Sequence, residues 1–135
     1  MRYFRSLRVL INKYNLSKRV NFISQVPHTE MPRYYALHHL VILPSFEEGS
    51  PMTILEAMAM KKIVVCSRLP VIKELFEEGK HCLMFPPGDP YRLAEKINYV
   101  YQNPREAESM AERAMKYVRE NFSTNKIIPK ILSIY

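Results

Sequence analysis

Two short apolar runs, residues 39–43 (HLVIL) and 63–66 (IVVC), with one helix-length segment between them, constrain this chain most. Both are strand-sized and rich in side chains that suit a pleated, buried surface. An alternating run at 19–23 (RVNFI) precedes them, and a fourth at 81–85 (HCLMF) follows a short helical stretch over 71–77. Strands that alternate with helices predict an α/β fold, a partial doubly wound and mostly parallel sheet of about four strands with helices on both faces. In such sheets ligands sit outside the carboxyl ends of the strands. The segment just past the run at 39–43 is therefore the place to look for chemistry.

The helices can be read from their caps and periodicity. Residues 2–14 place Phe4, Leu7, Ile11 and Tyr14 at helical spacing, with Arg2, Arg5, Arg8 and Lys13 largely elsewhere. Thr29 can cap a helix running to about His38. Ser50 is an N-cap candidate with Pro51 at the first helical position of a helix reaching about Lys61. Gly79 is a stop after 71–77. Asp89 caps and Pro90 starts another helix. Asn103 and Glu106 have capping-box spacing. Ser123 caps a last helix with Ile127, Ile128, Ile131, Leu132 and Tyr135 facing inward.

The run PSFEEGSPMTILEAMA at 44–59 carries the candidate site. Glu48 sits in a tight turn, and Glu56 lies eight positions on, inside the helix that the turn opens. Carboxylates only accept hydrogen bonds, so they suit sugar hydroxyls, which can donate. Orphan N–H groups at a helix start attract phosphate. Glu47 lacks both the following Gly and the spacing to Glu56, and reads as surface. His38 and His39 cannot share one helical face, and the spaced ligands of a metal site are missing. The Tyr34–Tyr35 pair reads as packing, and Lys61 and Lys62 as charges that complement a helix end.

With 135 residues, the chain is sized for one domain, and its 47% hydrophobic and 24% charged content is that of a globular protein. Cys66 and Cys82 cannot build a disulfide scaffold and lie in apolar surroundings, which predicts buried thiols in a reducing compartment. No apolar run is long enough to span a membrane, and the start lacks a signal-peptide core. The expected location is cytoplasmic, with a membrane-peripheral position left open. A net charge of +7 permits phosphate-rich partners, but the cations are scattered, which argues against nucleic acid.

Pro44, Ser45, Glu48, Gly49, Glu56, Ala57, Met58 and Ala59 together reproduce a Pro-Ser, Glu-Gly, E-x7-E, Ala-Met-Ala signature. With RVNFISQV and YYALHHLVILPS before it and SRLPVIKELFEEGKHCLMFPPGDPYRLAEKI after it, the chain resembles the donor-nucleotide half of GT-B retaining glycosyltransferases, the glycosyl transferases group 1. The resemblance implies a hexosyltransferase acting on a nucleotide-diphosphate sugar with retention, on a carbohydrate, lipid or small-molecule acceptor, without an essential metal or other cofactor. By resemblance, Glu48 would hold the donor sugar near the reaction centre as the catalytic-site acid. Gly49 and Ser50 would pass close to the sugar, and the N–H groups of Met52 and Thr53 would face the diphosphate. Glu56 would accept both ribose hydroxyls, and Ser24 to Val26 would neighbour the base.

Where the family usually has Gly this chain has Ser24, Lys61, and the pair Pro70 and Val71; Ile63 replaces a usual Pro. These departures account for a count of only three glycines. The resemblance also covers only the later part of a donor domain, without the acceptor domain or the basic Arg and Lys pair. Residues 1–135 are thus expected to be a single truncated donor-binding domain, inactive alone. The strand at 19–23 would lack a neighbour, predicting rearrangement, self-association or weak order over 1–38. The alternative is a non-catalytic interaction module, or one subunit of a split glycosyltransferase.

Overall fold

The computed structural model describes residues 2–123, which divide into two compact units at Met31 and Pro32. The first unit holds α1 (Arg2–Lys13), an irregular run, and a single 3-10 turn at His28–Glu30. Phe4 of α1 meets Phe22 edge to face at 4.6 Å, and the Arg8 guanidinium lies over the Phe4 ring. The strand expected at 19–23 does not form. A strand needs a ladder partner for its backbone groups, and the described sheet offers this run none.

The second unit carries α2 (Met31–Leu37), β1 (Leu40–Leu43), α3 (Met52–Ala59), β2 (Ile63–Ser67), α4 (Pro70–Leu75), β3 (Leu83–Phe85), α5 (Pro90–Gln102) and α6 (Pro104–Asn121). The sheet has three parallel strands in the order β1-β2-β3, with Leu43 opposite Cys66 and Ser67 opposite Phe85. It is one strand smaller than expected. The expected strand at 81–85 is shortened to β3, because His81 belongs to the preceding turn and Cys82 forms an isolated bridge with Glu78.

The middle strand is covered on both faces. Val65 packs with Leu83, Phe85 and Met110 of α6, against which Leu93 and Val100 of α5 also lie. The two-residue period of a strand sends Val64 and Cys66 to the other face, and both are buried. Helix α3 contributes Ile54, Ala57 and Met58, all fully buried, which fixes its rotation about its axis. The Ile54 and Met58 side chains are each worth about 1.5–3 kcal/mol of burial. Cys66 and Cys82 are free, buried thiols with sulfurs 4.0 Å apart, and the contact with Cys66, then burial, pushes the Cys82 thiol far up.

Several ends differ from their sequence reading. The 3-10 turn occupies the position where Thr29 was expected to cap, and it lacks a side-chain cap. Pro51 is itself the cap of α3, and no side chain caps that helix, so Ser50 does not act as one. Asn103 turns its amide back to the Tyr99 carbonyl, and Glu106 pairs with Arg113, so no capping box forms. Asp89 does cap α5, accepting from the N–H groups of Tyr91 and Arg92. Gly79 has a left-handed φ of 80°, in the turn before β3 rather than at the end of α4. The helix expected after Ser123 lies outside the described residues.

Candidate functional site

The carboxyl ends of β1, β2 and β3 lead into three connections, at 44–51, 68–69 and 86–89. The first carries Glu48. Its Oε1 accepts a 2.6 Å hydrogen bond from the Ser45 hydroxyl, and the side chain is half-buried, whereas Glu47 is exposed. Phe46 of this connection lies over Gly88 of the third, where an added Cβ would come within 3.0 Å of its ring. Gly88 has φ 76° in a turn closed by the Asp89 N–H on the Pro86 carbonyl, with Pro87 and Gly88 at the positions a type II turn prefers. At Gly49 neither backbone nor neighbours require glycine, since a Cβ there would meet nothing within 4 Å.

Helix α3 starts directly after this connection. Its Met52 N–H donates to the Ser50 carbonyl at 2.9 Å, so one of the two expected phosphate-facing amides is engaged locally. Thr53 is half-buried in the first turn, where N–H groups have no intrahelical acceptor. Glu56 stands one turn on. Its Oε2 accepts from the Tyr35 hydroxyl at 3.0 Å. Burial, then the hydrogen bond to Glu56, then the Glu56 charge raise the Tyr35 phenol to about 12. Both acids are thus held by a neutral hydroxyl donor. Val26 lies half-buried in the irregular run of the first unit.

Sequence reasoning missed Tyr35, which it assigned to packing alone. The signal was available in principle: a phenol on the inward side of a short helix needs an acceptor. Ser67 was also missed. Its fully buried hydroxyl, at the carboxyl end of β2, has no hydrogen-bond partner among the described residues. Arg68 follows it, but its guanidinium is bound to Glu78, which also takes Lys96 at 2.8 Å. Burial opposes ionisation of Glu78, but the two cations outweigh it and hold the carboxyl below its usual range.

Two concavities lie elsewhere. One of about 600 Å³ is lined by Phe76, His81, Arg113 and Tyr117, and one of about 720 Å³ by Leu40, Ile63, Ile97 and Val100; neither includes Glu48 or Glu56. Their lining residues come from the amino ends of the strands and from α4, α5 and α6. Among the described residues no three His, Cys, Asp or Glu side chains gather as metal ligands, and no helix is long and apolar enough to cross a membrane.

A parallel α/β sheet with an acid-bearing connection and a helix start at its carboxyl edge defines a GT-B-type C-terminal domain, the fold of its solved structural neighbours. The chain belongs to the glycosyl transferases group 1 family, whose profile matches residues 2–117. It is 28% identical over 96% of its length to the alpha-D-kanosaminyltransferase of Streptomyces kanamyceticus, covering 33% of that protein. It is 31% identical over 89% of its length to the lipopolysaccharide core mannosyltransferase LpcC of Rhizobium leguminosarum bv. viciae, covering 34% of it. Anabaena Alr3699/HepE, solved with UDP and glucose, superposes with a TM-score of 0.91 at 26% identity, over 98% of this chain and 36% of HepE. The chain therefore spans about a third of the length of the relatives it matches.

Proposed function

We propose that the protein to which this chain belongs transfers a hexose from a nucleotide-diphosphate sugar to an acceptor with retention of configuration. In this reading the present residues form part of the donor site. Glu48 orients the sugar hydroxyls, with Gly49 and Ser50 beside it, and Glu56 accepts the ribose hydroxyls. The N–H groups of Met52 and Thr53 face the diphosphate, the former after release from Ser50. The observation that carries it is the pair of acids flanking one helix start beyond β1, each held by a hydroxyl donor. The open space beside Gly49, where the fold itself does not demand glycine, agrees with a ligand passing there.

Departure of a nucleoside diphosphate is mainly an electrostatic task. One helix start contributes about 0.3–2 kcal/mol towards an anion. That is small against two phosphates, so donor binding by these residues alone is weak. Saturation-transfer NMR at millimolar UDP and GDP tests the reading. Transfer to ribose protons that disappears in Glu56→Ala supports it. A chain that shows no transfer with either nucleotide overturns the site.

A second reading is a non-catalytic interaction module or one subunit of a split glycosyltransferase. The cation nearest the carboxyl edge of β2, Arg68, is already paired with Glu78, which favours donor phosphates being held by groups elsewhere. Co-purification with a companion polypeptide that restores donor binding would separate this reading from the first.

A further inference from the structure

We infer that Tyr35 is a positioning residue for the donor's ribose, acting through Glu56: its hydroxyl fixes one carboxylate oxygen so that the acid meets the two adjacent ribose hydroxyls already ordered. This rests on Glu56 being the ribose acceptor. The geometry is specific. Tyr35 is 5% exposed on α2, the helix that leads into β1, and its hydroxyl reaches 3.0 Å to Oε2 of Glu56 on α3, 21 residues on. α3 is locked by Ile54, Ala57 and Met58, so the carboxylate stands on a buried helix, and the Tyr35 ring is itself the buried side chain of α2.

A hydrogen bond to one carboxylate oxygen narrows the rotamers open to a half-buried glutamate, and rotamers ordered beforehand need not be ordered on binding. A buried tyrosine has no such freedom to lose. The Tyr35 hydroxyl takes one of the roughly four acceptor positions of an ionised carboxylate. The phenol stays protonated up to about 12, so it remains a donor throughout the range in which nucleotide binding is measured. Phenylalanine at position 35 keeps the ring and its packing and removes only the donor.

The test compares UDP with 2′-deoxy-UDP on the full chain and on Tyr35→Phe, by saturation-transfer titration at millimolar nucleotide. The expected result is a wild-type preference for UDP that shrinks about 3–10-fold in Tyr35→Phe, the span set by the rotamer freedom regained by Glu56. A purely structural tyrosine would lower stability and leave the preference unchanged; that result overturns the inference while the ribose reading stands. A wild type without any preference between the two nucleotides overturns the ribose reading, and the inference falls with it. Should Tyr35→Phe fail to fold, the hydroxyl proton of Tyr35 in the wild type decides. It is expected as a slowly exchanging NMR signal that Glu56→Ala abolishes, and its absence in the wild type refutes the clamp.

Discussion

Lys61 occupies a backbone position made for glycine, and replacing it should stabilise the protein. It follows α3 with φ 55°, in the left-handed region. The Lys62 N–H donates to the Ala57 carbonyl and the Lys61 N–H to the Met58 carbonyl, both at 2.9 Å. That pair of bonds is the Schellman termination, in which the residue at Lys61's place is usually glycine. A side chain there costs about 1–2 kcal/mol. Glycine returns part of this through the greater freedom of the unfolded chain, about 0.5–1 kcal/mol.

Lys61 also has a long contact to Glu108, 3.7 Å between largely exposed groups, worth about 0–1 kcal/mol and near the lower end at that distance. Lys61→Gly should therefore gain about 0.5–1 kcal/mol. Lys61→Ala keeps the left-handed strain, loses the ion pair, and should be neutral or slightly destabilising. Urea unfolding followed by far-ultraviolet circular dichroism suits a chain without tryptophan. With a slope of about 1–3 kcal/mol per molar, the glycine variant's midpoint should rise by about 0.2–1 M. A midpoint for Lys61→Gly at or below that of Lys61→Ala would refute the reasoning, since the two differ chiefly in tolerance of that φ.

Three further outcomes follow from the same structure. Met58→Ala removes a fully buried side chain from the face of α3 that orients Glu56, and should cost about 2–5 kcal/mol in urea unfolding. Asp89→Ala leaves the Tyr91 and Arg92 N–H groups without their acceptor and should cost about 0.5–2 kcal/mol, with Asp89→Asn nearly neutral. His81 is buried, stacked on Tyr117 at 4.3 Å, and accepts at Nδ1 from the Glu77 N–H; burial and then the nearby Lys80 charge lower its pKa. The unfolded chain therefore takes up the proton first as pH falls below about 6.5. Stability should be full above that pH, decline as pH falls towards the lower folded value, and level off beneath it. His81→Phe, compared across pH 4–7, should flatten that part of the curve.

The candidate acids were legible in the sequence because their recognition depends on local spacing. Glu48 and Glu56 belong to one strand-turn-helix unit, and its order formed, β1 at Leu40–Leu43 and α3 at Met52–Ala59, with shorter ends than read and without the Ser50 cap. The Asp89-Pro90 start of α5 was legible for the same reason: its cap bonds span only two and three residues. The strand at 19–23 failed because alternation describes a strand's faces and cannot supply its ladder partner. The caps expected of Ser50 and Asn103 failed because short polar side chains have competing local options, and Asn103 took the Tyr99 carbonyl instead.

What the residues alone determined is the parallel α/β plan, the family, and which two carboxylates flank the start of α3. These are consequences of chain-local periodicity, turn chemistry and spacing. Only the tertiary structure decided that Tyr35 meets Glu56 across 21 residues, that Phe46 covers Gly88, and that Lys61 must turn left-handed where its sequence departs from glycine. Each of these depends on how packed helices and strand-end connections approach one another, a geometry set by the shared core of Val65, Leu83, Phe85 and Met110 rather than by any neighbouring residue.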